Sequence, residues 1–350
     1  MVKSGLLVAL IAGNCLFISA CNDTETSKDP VAEGKSANIT LSDTANATIL
    51  PMSEQNLTRL QYGVKAGEKY HYKLHQTTLI DQDSTHAETE ITMYYTKTIK
   101  SVRSDGSMEM TVRFDSVRAQ NKVPDFAGGT KSMKEVKYSS LDSANRKDKR
   151  FDQFNILIGE EVTMIVSAKG SIDEVSGLTP LVNKVLGAQK DSIPQTQKNQ
   201  LIDQIKNEAY VRNLQPEYQI FPDSTIDSNH TWTKNSSIPL FGIFPTNNTV
   251  QYKVESVKEI GGRKALEIVM NVKSMVTNPT FKNGPATFKL NDHQIQTSGK
   301  SIIDQEKGYT IFKKMEVMTF ADATATNTQS KQSQRSKQKN TQVTTIELIR

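Results

Sequence analysis

His71 and His75 lie four residues apart in a chain that has five histidines. On a helix this spacing places two imidazoles on one face, as in many zinc sites. Here polar and apolar residues alternate around the pair, which predicts a strand, and four residues of a strand span about 13 Å. One metal ion cannot bridge that gap. We therefore predict strand histidines that face solvent, and no metal site.

Residues suited to other kinds of catalysis do not form a recognisable pattern. The sequence contains no Gly-x-Ser-x-Gly, P-loop, dinucleotide-binding or His-Glu-x-x-His motif. Carboxylate pairs such as Glu160-Glu161 and Asp81/Asp83 are of the type used in glycoside hydrolysis. However, 23% of the residues are charged, so scattered acidic pairs are expected by composition. We predict no catalytic residue, no enzymatic activity and no cofactor.

Both cysteines, Cys15 and Cys21, lie near the start of the chain. The remaining sequence therefore has no disulfide, thiolate metal site or cysteine nucleophile. Lys3 precedes an apolar stretch from Leu6 to Ile18, which is short of the roughly 20 residues that span a bilayer. A basic start, an apolar stretch and small residues in this order are typical of a secretory signal.

The segment Ile18-Ser19-Ala20-Cys21 resembles a lipobox, the motif whose cysteine is lipidated and becomes the new N-terminus. This resemblance implies a signal peptide over residues 1–20, lipidation of Cys21 and membrane attachment through the lipid. The alternatives are an ordinary cleaved signal and an uncleaved anchor. Asn22 stands where an aspartate would imply retention at the inner membrane, so the resemblance favours the outer membrane, with its periplasmic or surface face left open.

The remaining chain divides into a polar tether and a β-rich body. Residues 21–56 are rich in Asn, Asp, Thr, Ser and Glu, which predicts a flexible tether. From Leu57 to residue 350 we expect one domain, because period-2 alternation recurs in segments such as 70–74 and 108–114. Helical spacing of apolar residues predicts an insert at about 179–213, formed of two helices, 179–188 and 195–213, that are separated at Pro194.

These elements predict a mainly β fold with a helical insert (α+β). The expected architecture is a large curled antiparallel sheet, or half-barrel, that is covered by one or two helices.

Short motifs in the body resemble a family of uncharacterised bacterial lipoproteins. They are the opening Gly67-Glu-Lys-Tyr70, the hairpin Lys169-Gly170-Ser-Ile172 before the helical insert, and the turn from Asp304 to Gly308. This resemblance implies a fold and a cell-envelope location but no catalytic residues. The expected architecture is also similar to the half-barrel of periplasmic lipoprotein carriers, which implies an apolar ligand on a concave sheet face.

The densest apolar stretch of the body runs from Ile238 to Pro245. A proline near each end argues against a continuous inner strand. The stretch is then either a loop that caps the core, or the lip of a ligand cavity or docking patch. For the second case, the candidate ligand-binding residues are Trp232, Phe241, Phe244 and Tyr252.

A second polar stretch, residues 321–340, is rich in Thr, Gln, Ser and Lys and contains Lys331, Arg335, Lys337 and Lys339. Its composition favours a solvated loop between two late strands over a site for nucleic acid or lipid headgroups. The net charge is only +5 and charges of both signs are interspersed, so we expect no nucleic-acid partner.

An Asp-Ser or Asp-Thr pair followed by an aliphatic residue or Thr recurs more often than composition predicts. The triplet resembles the O-glycosylation acceptor of one group of Gram-negative bacteria, and it is equally typical of turns. The candidate acceptors are Thr44, Ser84, Ser116, Ser143, Ser192 and Ser224.

These observations predict a non-enzymatic envelope lipoprotein, anchored through Cys21, whose body binds an apolar ligand or lipid on a concave sheet face. The alternative is a structural or assembly partner in an envelope protein complex.

Overall fold

The computed structural model describes residues 43–44, 47–52, 57, 60–124, 133–222 and 229–349. The predicted signal peptide, Cys21 and Ser224 lie outside these residues. Strands make up 58% and helices 17% of the structure, which confirms the mainly β class. The strands are β1 (Thr48–Leu50), β2 (Lys69–Gln82), β3 (Thr85–Val102), β4 (Met108–Pro124), β5 (Met133–Ser139), β6 (Glu161–Val166), β7 (Ile172–Ser176), β8 (Thr231–Ser236), β9 (Thr246–Ile260), β10 (Arg263–Val276), β11 (Thr280–Asn283), β12 (Ala286–Asp304), β13 (Thr310–Asn327) and β14 (Ser333–Ile349).

All the named strands join one open 14-stranded antiparallel sheet. The order is β1-β9-β10-β12-β13-β14-β2-β3-β4-β6-β7, with β5 beside β4, β8 beside β9 and β11 beside β12. The last strand, β14, pairs with β2 near the start of the body, and this pairing joins the late meander to the early one. The alternation of buried and half-buried residues along β4 is the pattern of a sheet with one covered face.

Helices cover part of that face, as the sequence predicts. The insert contains α3 (Thr179–Leu186) and α4 (Gln195–Ile205), and α4 continues through π-helical, α-helical and 3-10 turns to Glu217. Two shorter helices, α1 (Ser143–Lys147) and α2 (Asp152–Asn155), precede the insert. Among the described residues, no helix combines the length and the hydropathy that a bilayer crossing requires.

The buried side chains form three clusters on one face of the sheet, which we call the inner face. The first cluster joins Leu181, Tyr210 and Leu214 of the insert to the side chains of β2, β3 and β4. The second surrounds Trp232 and Tyr252. The third lies at the far ends of β12 and β13 and includes Leu240, Phe244, Phe288, Leu290, Ala321 and Ala325.

Two predicted boundaries are wrong. Thr48–Leu50, within the predicted tether, pairs with β9, because the edge of β9 offers backbone groups that the segment can hydrogen-bond. The predicted loop over residues 321–340 is instead mostly the hairpin of β13 and β14. Polar composition does not prevent strand formation where both neighbours supply a ladder, and threonine favours strands.

Candidate functional site

A groove crosses the inner face between the second and third clusters. It encloses a cavity of about 360 Å³, within the roughly 300–1,000 Å³ of small-molecule sites. Strand register aligns Val272 with Thr297, and Thr297 with Val317, so these side chains share its floor. The described residues that line the groove are all uncharged, and its apolar members include Val250, Met270, Val272, Ile295, Met315 and Val317.

The segment from Ile238 to Pro245 forms one wall of the groove. Leu240 and Phe244 exchange backbone hydrogen bonds of 2.8 and 3.1 Å, which close a tight turn. Phe241 occupies the left-handed region with a φ of 52°, a conformation that is uncommon for a non-glycine residue. Phe244 is fully buried in the third cluster, whereas the half-buried Phe241 lines the groove. The segment therefore caps part of the core and also borders a cavity.

The structure does not bring all four candidate ligand-binding aromatics together. Trp232 and Tyr252 stack with ring centroids 5.2 Å apart and are buried in the second cluster. The Trp232 Nε1–H donates a hydrogen bond to the Ile220 carbonyl at 3.0 Å. Neither residue lines the groove, although Tyr252 pairs in register with Met270, which does. Of the four, Phe241 is the one at the cavity surface.

Beyond Val317, the floor of the groove becomes polar without becoming charged. Val317 pairs with Gln342, and the same register row continues through Thr78 and Thr89 to Asn121. We call Gln342, Thr78, Thr89 and Asn121 the polar row. Hydroxyl and amide groups can donate or accept hydrogen bonds, so this row differs from the apolar floor on β9 to β13.

Asn340 lies two residues from Gln342 on the same face of β14 and lines the groove. It is 7% exposed, and its Oδ1 has no hydrogen-bond partner among the described residues. The Oδ1 of Asn121, at the far end of the polar row, is in the same state. Buried polar atoms are paired in most native structures, so two such acceptors on one face mark a place where a partner group fits.

A second polar feature is a buried charge cluster under the helical insert. The Nζ of Lys97 donates to the carboxylate of Glu217, and both side chains are almost fully buried. The Tyr95 hydroxyl donates to Glu217 Oε2 at 2.7 Å, and Lys313 Nζ donates to the Tyr218 carbonyl at 3.3 Å. Lys97 also lies over the Tyr72 ring, 4.5 Å from its centroid, within the range of a cation–π contact.

Burial controls the ionisation of this charge cluster. It lowers the pKa of Lys97, and the Glu217 carboxylate opposes that change. Burial likewise lowers the pKa of Lys313 to about 8, again against the attraction of Glu217. It raises the pKa of the Tyr95 hydroxyl, which the negative charge of Glu217 raises further. The space beside Lys97 is only about 10 Å³, room for no more than a water molecule, so the cluster positions the insert and offers no substrate site.

Sequence reasoning missed this charge cluster, although the alternation contained a signal. Lys97 falls in phase with Tyr95 and Ile99, and Lys313 falls in phase with Ile311 and Met315. Period 2 therefore placed both lysines on the buried face. Glu217 carried no comparable signal, because it lies in a 3-10 turn.

The histidine pair lies on β2, as predicted, and His71 Nδ1 is 2.9 Å from the Thr96 hydroxyl. Within the part of the chain that the structure describes, no group of His, Cys, Asp and Glu side chains is arranged to hold a metal ion. The basic run lies mostly on β14, where Arg335 donates to both carboxylate oxygens of Asp322, at 2.7 and 2.5 Å. Those hydrogen bonds lower the pKa of Asp322 to about 2.

The candidate glycan acceptors differ in exposure. Ser84, Ser143 and Ser192 are exposed, and Thr44 is half-buried. Ser116 is 8% exposed on the central strand β4. A bulky glycan does not fit there in the folded protein, so the structure removes Ser116 from the set. The other described positions remain candidates.

Comparison with solved structures finds distant likenesses only. A structure of lipovitellin, described as showing lipid–protein interactions, aligns over 82% of this chain at 10% identity with a TM-score of 0.44. This chain spans 25% of that lipovitellin chain. OccK7 (OpdD) of Pseudomonas aeruginosa aligns over 81% of this chain and 99% of its own at 6% identity, with a TM-score of 0.22. Neither TM-score reaches 0.5, and we base nothing on either likeness.

Comparison of sequences is more informative. No curated protein matches this sequence. Residues 105–310, more than half of the chain, match the family described as a family of unknown function (DUF6263). The matched region runs from the β3–β4 turn to the start of β13 and includes the helical insert. The protein therefore belongs to this family of unknown function, DUF6263.

Proposed function

We propose that this protein is a membrane-anchored lipoprotein without enzymatic activity, and that it binds an apolar, chain-like ligand in the inner-face groove. The observation that carries the proposal is a cavity of about 360 Å³ with no charged residue among its described lining residues. Apolar pockets with a few polar groups are the usual form of a small-molecule site. The lipobox ending at Cys21 supports attachment to a membrane, where such ligands are abundant.

The floor of the groove suits an extended hydrocarbon. Val272, Val317 and Met315 present adjacent apolar side chains across three strands. Each methylene that leaves water for such a surface contributes about 0.8 kcal/mol, so a chain of moderate length offsets the entropic cost of binding.

Photolabelling tests this proposal. The full chain is held in lipid nanodiscs with a fatty acid methyl ester that carries a diazirine in its chain, and the labelled peptides are mapped by mass spectrometry. We expect labels on β10, β12 and β13 within the groove. Val317→Trp fills the groove and should abolish those labels.

Met318→Trp is the matched control, because it introduces the same side chain on the same strand, one residue away on the opposite face. It should leave the groove labels intact. Equal labelling of the wild type and Val317→Trp would contradict the proposal.

The alternative, assembly with an envelope protein, has one observation in its favour. Ile238 is 69% exposed at the rim of the groove, and a large exposed apolar side chain beside an apolar surface is typical of docking sites. Site-specific crosslinking from position 238 in intact cells distinguishes the two functions. One stoichiometric protein adduct favours assembly, and lipid adducts favour ligand binding.

A further inference from the structure

The groove has one apolar and one polar part, and both are uncharged. Its apolar floor lies on β9 to β13, and the polar row begins at Gln342 on β14. A ligand that matched the apolar floor alone would leave the polar part of the groove facing hydrocarbon. The amide oxygen of Asn340, buried and without a partner among the described residues, lies beside the start of this row.

These features together select the head of the ligand. A buried acceptor that finds no donor in the protein is stabilised by a donor from the ligand. An anionic head would find no cation among the described residues that line the groove, and burying an unpaired charge is strongly unfavourable. Carbonyl and amide acceptors beside hydroxyls instead match a head with an O–H or N–H group and no charge.

We propose that the groove binds a single-chain amphiphile with a neutral, hydrogen-bond-donating head, such as a fatty alcohol or a monoacylglycerol, and that Asn340 accepts the hydrogen bond from that head. The hydrocarbon lies on Val272 and Val317, and the head lies at the junction of Asn340 and Gln342. This assignment rests on the proposed function, because it requires the groove to hold a chain.

Competition against the methyl ester photoprobe tests the assignment. Oleyl alcohol, methyl oleate and oleyl sulfate are added separately to the full chain in nanodiscs. Their chains are equivalent, and their heads are a neutral donor, a neutral acceptor and an anion. We expect oleyl alcohol to displace the probe from the groove at concentrations at least tenfold lower than methyl oleate, and oleyl sulfate to be the weakest competitor.

Asn340→Leu replaces the amide with an apolar group of similar size. It should bring oleyl alcohol and methyl oleate to within about threefold of each other, because both heads then meet hydrocarbon. Thr341→Val, on the opposite face of the same strand, should keep the tenfold preference. If Asn340→Leu does not fold, the competitor series on the wild type still decides the proposal.

The outcomes separate the two levels of the argument. Groove labelling with equal competition by all three heads, or with oleyl sulfate strongest, overturns the assignment of the head and leaves chain binding in place. An unchanged preference in Asn340→Leu overturns the role of that residue. No labelling of the groove by the methyl ester overturns the proposed function itself.

Discussion

Lys97 on β3 and Glu217 at the end of the helical insert form an ion pair inside the protein. Their side chains are 5% and 2% exposed, and Tyr95 donates a further hydrogen bond to the carboxylate. The Thr310 hydroxyl donates to the Glu217 backbone carbonyl at 2.5 Å. Removing one partner of such a pair leaves a buried charge without compensation, which is far costlier than the net contribution of the intact pair.

Glu217→Gln should therefore lower the free energy of unfolding by about 3–5 kcal/mol. The fluorescence of Trp232, the one tryptophan of the chain, reports unfolding in urea. Glu208→Gln is the control, because the Glu208 side chain is 60% exposed and pairs with Arg212 at the surface. A Glu217→Gln effect no larger than that of the control would show that the buried pair does not hold the insert.

Lys313 predicts a rise in stability at alkaline pH. Its pKa is lowered by burial to about 8 from an ordinary value of 10.5, so between these values the unfolded chain binds a proton that the folded protein has released. The free energy of unfolding then increases with pH across that window. Above pH 10 the buried tyrosines act in the opposite direction, because burial raises the pKa of Tyr72 and Tyr95 and only the unfolded chain ionises them.

Lys313→Met should remove this rise and should stabilise the protein at pH 7, by up to about 3 kcal/mol, the equivalent of the lowered pKa. Urea titrations at a series of pH values from 7 to 10 measure both effects. Lys314→Met changes the neighbouring, exposed lysine on the other face and should leave the rise intact. A rise that persists in Lys313→Met would assign it to another group.

Gly170 should tolerate substitution less well than Gly67. Both have left-handed φ angles, 91° and 86°, so alanine is strained at each by about 1–2 kcal/mol. A Cβ at Gly170 would also lie 2.3 Å from the Gln219 carbonyl oxygen, whereas at Gly67 it would meet open space. Gly170→Ala should therefore destabilise the protein by about 1–3 kcal/mol more than Gly67→Ala. Thermal unfolding of the two variants measures the difference, and equal midpoints would refute the close approach.

Cys21→Ser should release the protein from the membrane fraction and remove the mass of the acyl chains, because the lipobox cysteine is the only attachment site for the anchor that we propose. Cell fractionation and intact mass spectrometry read out the change. Cys15→Ser, within the predicted signal peptide, should leave both unchanged. A Cys21→Ser protein that stays membrane-bound with the wild-type mass would exclude the lipid anchor.

If the Asp-Ser/Thr triplets are glycan acceptors, modification should be found at exposed serines such as Ser84, Ser143 and Ser192 and be absent from Ser116. Peptide mapping before and after alkaline β-elimination tests this in protein from its native envelope. A glycan on Ser116 in the folded protein would contradict the burial of that residue. An intact mass without any glycan would show that the triplets serve only as turn residues.

Sequence alone determined the local elements. Alternation over 70–74 and 108–114 and helical spacing over 179–213 depend on neighbours a few residues away, and the structure has strands and helices there. The same alternation placed Lys97 and Lys313 on the buried face. Composition was less reliable, since the polar stretch 321–340 forms paired strands.

Tertiary structure alone decided which surfaces meet. Lys97 and Glu217 are 120 residues apart in sequence, and no local pattern specifies that one neutralises the other. The groove likewise depends on pairing across β9 to β14 and on where the turn at Phe241 lies over the sheet. A side chain's face follows from a two-residue period, but its partners follow from strand order and from the elements that cover the face. Those are set by burial and hydrogen bonding summed over the whole chain.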